Sequence, residues 1–136
     1  MKHKYMLDTN ICIYLMKHHP PQVRARFAEC FVGDVVISAI TLAELEFGVA
    51  RSGDAQAHNQ ALLDSLLQDI LVAPFEADAA RAYGPLRAAT RERNKNALDK
   101  LIASHAISLG VTLVTNNEAD FLGLTGLTVE NWVNPH

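Results

Sequence analysis

The chain has 136 residues, 49% of them apolar and 20% charged, with 12 Lys and Arg against 15 Asp and Glu for a formal net charge of −3. That balance excludes a disordered chain, and net charge by itself gives no support to nucleic-acid binding. The longest apolar stretch, Val35 to Ala43, is already broken by Ser38 and Thr41, far short of the roughly 20 residues a membrane-spanning helix needs.

Asp8 and Asn10 interrupt what would be the apolar region of a signal peptide, and two cysteines, Cys12 and Cys30, make no disulfide framework. The expectation is a single domain over residues 1–136, reduced and cytoplasmic.

Tyr5-Met6-Leu7 reads as a short buried strand, followed by a helix over 9–18 with Ile11, Ile13, Tyr14 and Leu15. Pro21 suits the first turn of a second helix, running to about Val32. Val35-Val36-Ile37 is a β-branched strand. Helices follow over 41–52 and 55–69, split by Ser52-Gly53-Asp54. Ile70-Leu71-Val72 is a third strand, and 76–93 a helix interrupted at Gly84-Pro85. Another helix spans 97–109, closed by Gly110, before a strand at 111–114 and a candidate fifth at Leu127-Thr128-Val129. Strands alternating with helices predict an α/β fold, a mostly parallel sheet of four to five strands covered by helices. In such folds the functional crevice lies at the carboxyl ends of the strands.

Acids stand where that rule directs attention. Asp8 directly follows the first strand, where it also suits the N-cap of the next helix. Glu44 follows the second, in Thr41-Leu42-Ala43-Glu44, which matches a capping box with Thr41 as N-cap. Asp99 heads the helix face carrying Ile102, Ala103 and Ala106, where an ionised carboxylate is costly unless it is paired, hydrogen-bonded or metal-bound. Asp120 lies in the polar segment Thr115-Asn116-Asn117-Glu118-Ala119-Asp120 after the fourth strand. Each acid alone has an ordinary structural reading. Together they form an oxygen-only donor set suited to a hard cation, Mg²⁺ or Mn²⁺, of the kind that serves phosphodiester hydrolysis.

From Arg87 to Lys100 five basic residues (Arg87, Arg91, Arg93, Lys95, Lys100) face two acids, Glu92 and Asp99. Most such runs are solvated faces, and the sharper reading is a rim that attracts phosphate. No Gly-rich phosphate loop, G-x-S-x-G elbow or zinc-spaced histidine pair occurs. His105 reads as a packed helix residue and Cys12 as a small buried hydrophobe.

The ordered segments Met6-Leu7-Asp8-Thr9-Asn10, Ser38-Ala39-Ile40-Thr41-Leu42-Ala43-Glu44-Leu45, Leu98-Asp99-Lys100-Leu101-Ile102-Ala103, Leu113-Val114-Thr115-Asn116-Asn117 through Phe121, and Gly126 to Trp132 resemble the PIN-domain ribonucleases, specifically VapC-type toxins of VapBC toxin–antitoxin systems. The resemblance implies a PIN-like α/β/α sandwich and Mg²⁺- or Mn²⁺-dependent endonucleolytic cleavage of structured RNA, most often a tRNA anticodon loop, which inhibits translation. It implies Asp8, Glu44, Asp99 and Asp120 as the catalytic acids, with Asp8 and Asp99 as metal ligands. Thr9, Asn10, Thr115 and Asn117 support them, Asn117 standing where many PIN domains carry a further acid. Arg93, Lys95 and Lys100 are candidates for steering RNA. The implied partners are a VapB-type antitoxin and a second copy of the chain. Ile11, Tyr14, Leu15, Leu45, Phe47 and Val49 offer an apolar helical surface for the antitoxin.

Three other readings compete. A haloacid-dehalogenase-like phosphatase would use Asp8 as nucleophile, but Asn10 replaces its usual second Asp. A response-regulator receiver needs an Asp after the third strand, where Val72-Ala73-Pro74-Phe75 offers none. A PIN-like module that only binds a partner has no need of four acids.

Overall fold

The computed structural model describes residues 2–90 and 97–134. Five strands, β1 (Tyr5–Leu7), β2 (Val35–Ser38), β3 (Leu71–Ala73), β4 (Thr112–Val114) and β5 (Val129–Glu130), form one sheet in the order β3-β2-β1-β4-β5. Every pairing is parallel, with Met6 opposite both Val36 and Leu113. The helices are α1 (Thr9–Lys17), α2 (Pro21–Ala28), α3 (Ala39–Ala50), α4 (Gln56–Asp69), α5 (Ala77–Ala89) and α6 (Ala97–Leu109).

Strand residues alternate between two cores, as the period of two requires. Leu7, Val35, Ile37 and Val114 point to one face, where Ile11, Leu15, Val23 and Leu63 of α1, α2 and α4 cover them. Met6, Val36 and Leu113 point to the other, against Ile102, Ala103 and Ala106 of α6. The small side chains of α6 bring its backbone close to the sheet. Burial on both faces explains why the strands read as short, continuous apolar runs.

The expected element order stands, and the boundaries move for local reasons. The second helix ends at Ala28, not near Val32, because Asp34 accepts a hydrogen bond from the Phe31 amide (2.9 Å) and closes a turn through Gly33 at φ 90°. That turn leaves Phe31 and Val32 exposed. The third helix starts at Ala39, two residues earlier than expected, and its N-cap is Ser38, whose Oγ accepts from the Ile40 amide (3.0 Å). Thr41 is therefore not a cap but lies fully buried in the first turn, and the expected capping box with Glu44 does not form. Gly110 ends α6 at φ 68°, where a side chain would be strained.

From β1 the chain builds β2 and β3 to one side of the sheet and β4 and β5 to the other. The order reverses between β1 and β4, which is where a crevice opens in a sheet of this kind.

Candidate active site

Asp8 and Thr115 directly follow the two strands that flank the reversal. Asp8 does cap α1: its Oδ1 accepts from the Ile11 amide at 3.0 Å, and its backbone is extended at φ −77°. Its side chain is buried, which pushes its pKa above the ordinary carboxylate range. Hydrogen bonds from the Thr115 hydroxyl and from the Ile11 and Asn10 amides oppose that shift, while the charge of Glu44 adds to it.

Released from capping, Glu44 turns toward α1, where Thr9 Oγ1 donates to its Oε1 at 2.7 Å. Asp99 enters from the first turn of α6, half-buried, and its pKa is pushed up to about 6. Burial is the largest cause, followed by the charges of Asp120, Asp8 and Glu44. Asp120 sits in the short 3₁₀ turn Glu118–Phe121, where the Asn117 side-chain amide donates to it. The Asn117 backbone amide in turn donates to Thr115 Oγ1 at 3.0 Å. Asp8, Thr9, Asn10, Glu44, Asp99 and Asn117 line one cavity of about 140 Å³, with Phe121 closing its apolar side. Asp120 and Thr115 are not part of this lining and act on it through charge and hydrogen bonds.

The structure therefore gathers the four expected acids and the four expected polar residues at one place. It does not do the same for the cations. Lys100 is buried, and its Nζ donates to the Thr90 carbonyl at the end of α5 (3.2 Å). That bond holds its head group at the end of α5. Arg93 and Lys95 lie outside the described residues. The apolar surface expected on α1 and α3 is also mostly absent: Ile11, Leu15, Leu45 and Val49 are buried, Tyr14 is half-buried, and Phe47 alone of the six is 64% exposed.

Sequence reasoning missed two features of the site and one contact outside it. Phe121 closes the cavity, Asn116 Nδ2 donates to the Tyr14 hydroxyl (3.3 Å), and His105 Nδ1 meets Ser38 Oγ at 2.8 Å. None carries a local signal, since each depends on which distant segment packs alongside. Cys12 is buried as expected, with its thiol pKa raised by burial. A larger hollow of about 530 Å³ lies between α2 and β5. It is lined by Glu29, Glu118 and Glu130, but Arg26 stands among them, bonded to Glu130 (3.3 Å) and lying over the rings of Tyr5 and Trp132.

The donor set fits a hard divalent cation. All the ligating atoms on offer are oxygens or side-chain amides, and among the described residues the charges that act on Asp99 are negative. Among the described residues no three carboxylate, His or Cys side chains stand close enough to enclose an ion unaided.

This parallel sheet with an acidic crevice at its switch point is that of a PIN domain: the family model of that name matches residues 5–124, and the chain belongs to the PIN-domain family. Its relatives narrow the assignment. It is 40% identical over 131 residues to the tRNA(fMet)-specific endonuclease VapC of Shigella flexneri, covering 95% of this chain and 98% of that one. It is 36% identical over 132 residues to a ribonuclease VapC of Haemophilus influenzae, covering 96% and 98%. The structure of DNA-bound VapBC from Salmonella typhimurium superposes with a TM-score of 0.87 at 36% identity, covering 96% of this chain and 98% of that one. Within its family the chain is thus of the VapC ribonuclease type. The phosphatase and receiver readings fall with that assignment.

Proposed function

We propose that this protein is the toxin of a toxin–antitoxin pair, a cytoplasmic endoribonuclease that uses Mg²⁺ or Mn²⁺ to cut a structured RNA, most simply a tRNA in its anticodon loop, and that a VapB-type antitoxin neutralises it. The observation that carries the reading is the 140 Å³ acidic cavity at the switch point, in a chain whose relatives are named ribonucleases. The tRNA substrate rests on the name of the Shigella flexneri relative, and the antitoxin on the VapBC complexes among the solved structures. No described helix is long and apolar enough to cross a membrane.

Asp8 and Asp99 would hold the cation, with Glu44, Asn117 and Asp120 around it. When bound, a divalent cation neutralises phosphate charge and makes water a better nucleophile. The protein's own part follows from the hydrogen bonds. Thr115 and two backbone amides hold the Asp8 carboxylate in one rotamer and favour its ionised form. Thr9 fixes one oxygen of Glu44, which leaves the other to accept a proton from an attacking water. Asn117, a neutral amide amid acids, can donate to a phosphate oxygen without adding to the repulsion. Water is the nucleophile in this scheme and the 3′-oxygen the leaving group, as the family resemblance implies, so the products carry 5′-phosphate and 3′-hydroxyl ends.

Incubating the purified protein with total tRNA, with and without Mn²⁺, and mapping the new ends tests the proposal. Cation-dependent cuts that vanish in Asp99→Asn support it. No cleavage of any RNA by the wild-type protein at millimolar Mn²⁺ refutes it.

A further inference from the structure

The acids of the site repel one another, yet they are carried by separate elements: Asp8 at the head of α1, Glu44 on α3 and Asp99 on α6. Without a tie between these elements, repulsion would spread them apart. Two ties are visible between α1 and its neighbours. Thr9 donates to Glu44 and so joins α1 to α3, and the Asp8 amide donates to the Val114 carbonyl at 3.0 Å, joining α1 to β4. The remaining gap is between α3 and α6.

A buried polar contact spans it. His105 on α6 is 1% exposed and Ser38 is 0% exposed, and His105 Nδ1 lies 2.8 Å from Ser38 Oγ across 67 residues of sequence. Ser38 is also the N-cap of α3, accepting the Ile40 amide with the same oxygen. A hydroxyl has one proton and two lone pairs. With one lone pair taken by Ile40, its proton is free to go to a neutral imidazole nitrogen. Phe75 meets the imidazole edge-to-face, with ring centroids 5.2 Å apart, and closes the other side of the ring. The pair lies outside the acidic cavity, so it has no direct part in the chemistry.

We propose that His105 is a positioning residue: through its hydrogen bond to the Ser38 cap it locks α6 to the start of α3, and so sets the distance between Asp99 and Glu44. The tie completes a chain of bonds that runs from Asp8 through Thr9, Glu44 and α3 to Ser38, His105 and Asp99. A buried bond suits this task better than apolar packing, because it defines both the axial position and the rotation of one helix against the other.

The inference rests on the ribonuclease reading, and the test separates the two. Steady-state RNA cleavage is measured for wild type, His105→Leu, Ser38→Ala, the double variant and His105→Asn, each with a thermal melt. Leu matches the volume without an acceptor, whereas Asn keeps a hydrogen-bonding group near the Nδ1 position. His105→Leu and Ser38→Ala are each expected to lower kcat about tenfold, with KM within about twofold, since small misplacements of reacting groups act on the chemical step. The double variant should be no worse than Ser38→Ala, which removes the cap along with the tie that both substitutions cut. His105→Asn should recover most of the rate. The inference is overturned if the two losses multiply, if His105→Asn is as poor as His105→Leu, or if every loss in rate merely follows the fraction unfolded at the assay temperature. Wild-type cleavage with an undisturbed His105→Leu overturns it alone, whereas a wild-type protein without cleavage overturns the ribonuclease reading with it.

Discussion

Asp8 and Asp99 share one cavity, and both have pKa values raised by burial, yet the protein treats them oppositely. Asp8 is built in. It caps a helix, receives the Thr115 hydroxyl, and sits between the two central strands of the crevice. Asp99 has no such support: among the described residues no hydrogen bond to its carboxylate offsets the charges of Asp120, Asp8 and Glu44. One acid belongs to the fold as much as to the site. The other is held against its own electrostatic preference by the packing of α6, and a proton or a cation would relieve it. The comparison teaches that a shared function does not imply a shared energetic role, and it can be broken by experiment.

The largest expected effect is on Asp99. Asp99→Asn should lower RNA cleavage at least about 100-fold, since loss of a ligand exceeds what loss of a supporting partner costs. It should also raise the melting temperature of the cation-free protein by about 3 °C, the shift expected from roughly 1 kcal/mol in a domain of this size. A calorimetric scan and a cleavage assay on the same preparation check both. A variant that is less stable than wild type would break the contrast.

Asp8→Ala should lose activity as fully, with the opposite sign on stability. Losing the cap costs about 1 kcal/mol, or about 3 °C. Asp8→Asn keeps a capping oxygen and should separate the two roles, with the melting temperature nearly restored and the activity still absent.

The third prediction concerns pH. With the Asp99 pKa raised to about 6, the native protein takes up this proton well above the pH at which the unfolded chain does. Protonation therefore favours the folded state, and this group's contribution to stability grows as pH falls through 6 toward 4. Cation binding needs the carboxylate and runs the other way. The rise in melting temperature caused by Mn²⁺ should be large at pH 7.5 and much smaller at pH 5, measured by calorimetry at fixed Mn²⁺. An equal shift at both values would show that Asp99 is not a ligand.

The smallest effect is expected at Thr115, and it sharpens the comparison. Thr115→Val removes a hydrogen bond from Asp8 and the acceptor of the Asn117 amide without touching Asp99. It should cost about 1 kcal/mol and slow cleavage only a few-fold, with the loss growing toward low pH, because the Thr115 bond favours the ionised form of Asp8 against the upward push of burial. Cleavage profiles from pH 5 to 8 for the two proteins decide it.

Much of this was legible in the order of residues. The short β-branched runs marked the strands, and the acids stood just past them. Asp8 could be read as a cap, and Asp99 as a carboxylate on an apolar face, from spacing alone. The misreadings share one cause. Thr41 and Glu44 match a capping box locally, but Ser38 sits at the end of β2 beside His105, and the helix starts there instead. Lys100 looks like one more cation in a basic run, but α6 turns it inward to the end of α5. Ile11, Leu15, Leu45 and Val49 look like surplus apolar surface until α1, α3 and α4 are packed together over the sheet.

The sequence by itself determined the alternation of strands and helices, because hydrophobic period and β-branching act over neighbouring residues. It also determined which acids follow which strands, and hence that they meet at the carboxyl edge of a parallel sheet. Only the tertiary structure decided which hydroxyl caps α3, which cation is buried, and how far the Asp99 pKa rises. Those outcomes depend on desolvation and on partners 35 and 67 residues away, such as Thr9 for Glu44 and Ser38 for His105. Burial and charge at a point in space sum over every element packed there, and a local pattern registers only one of them.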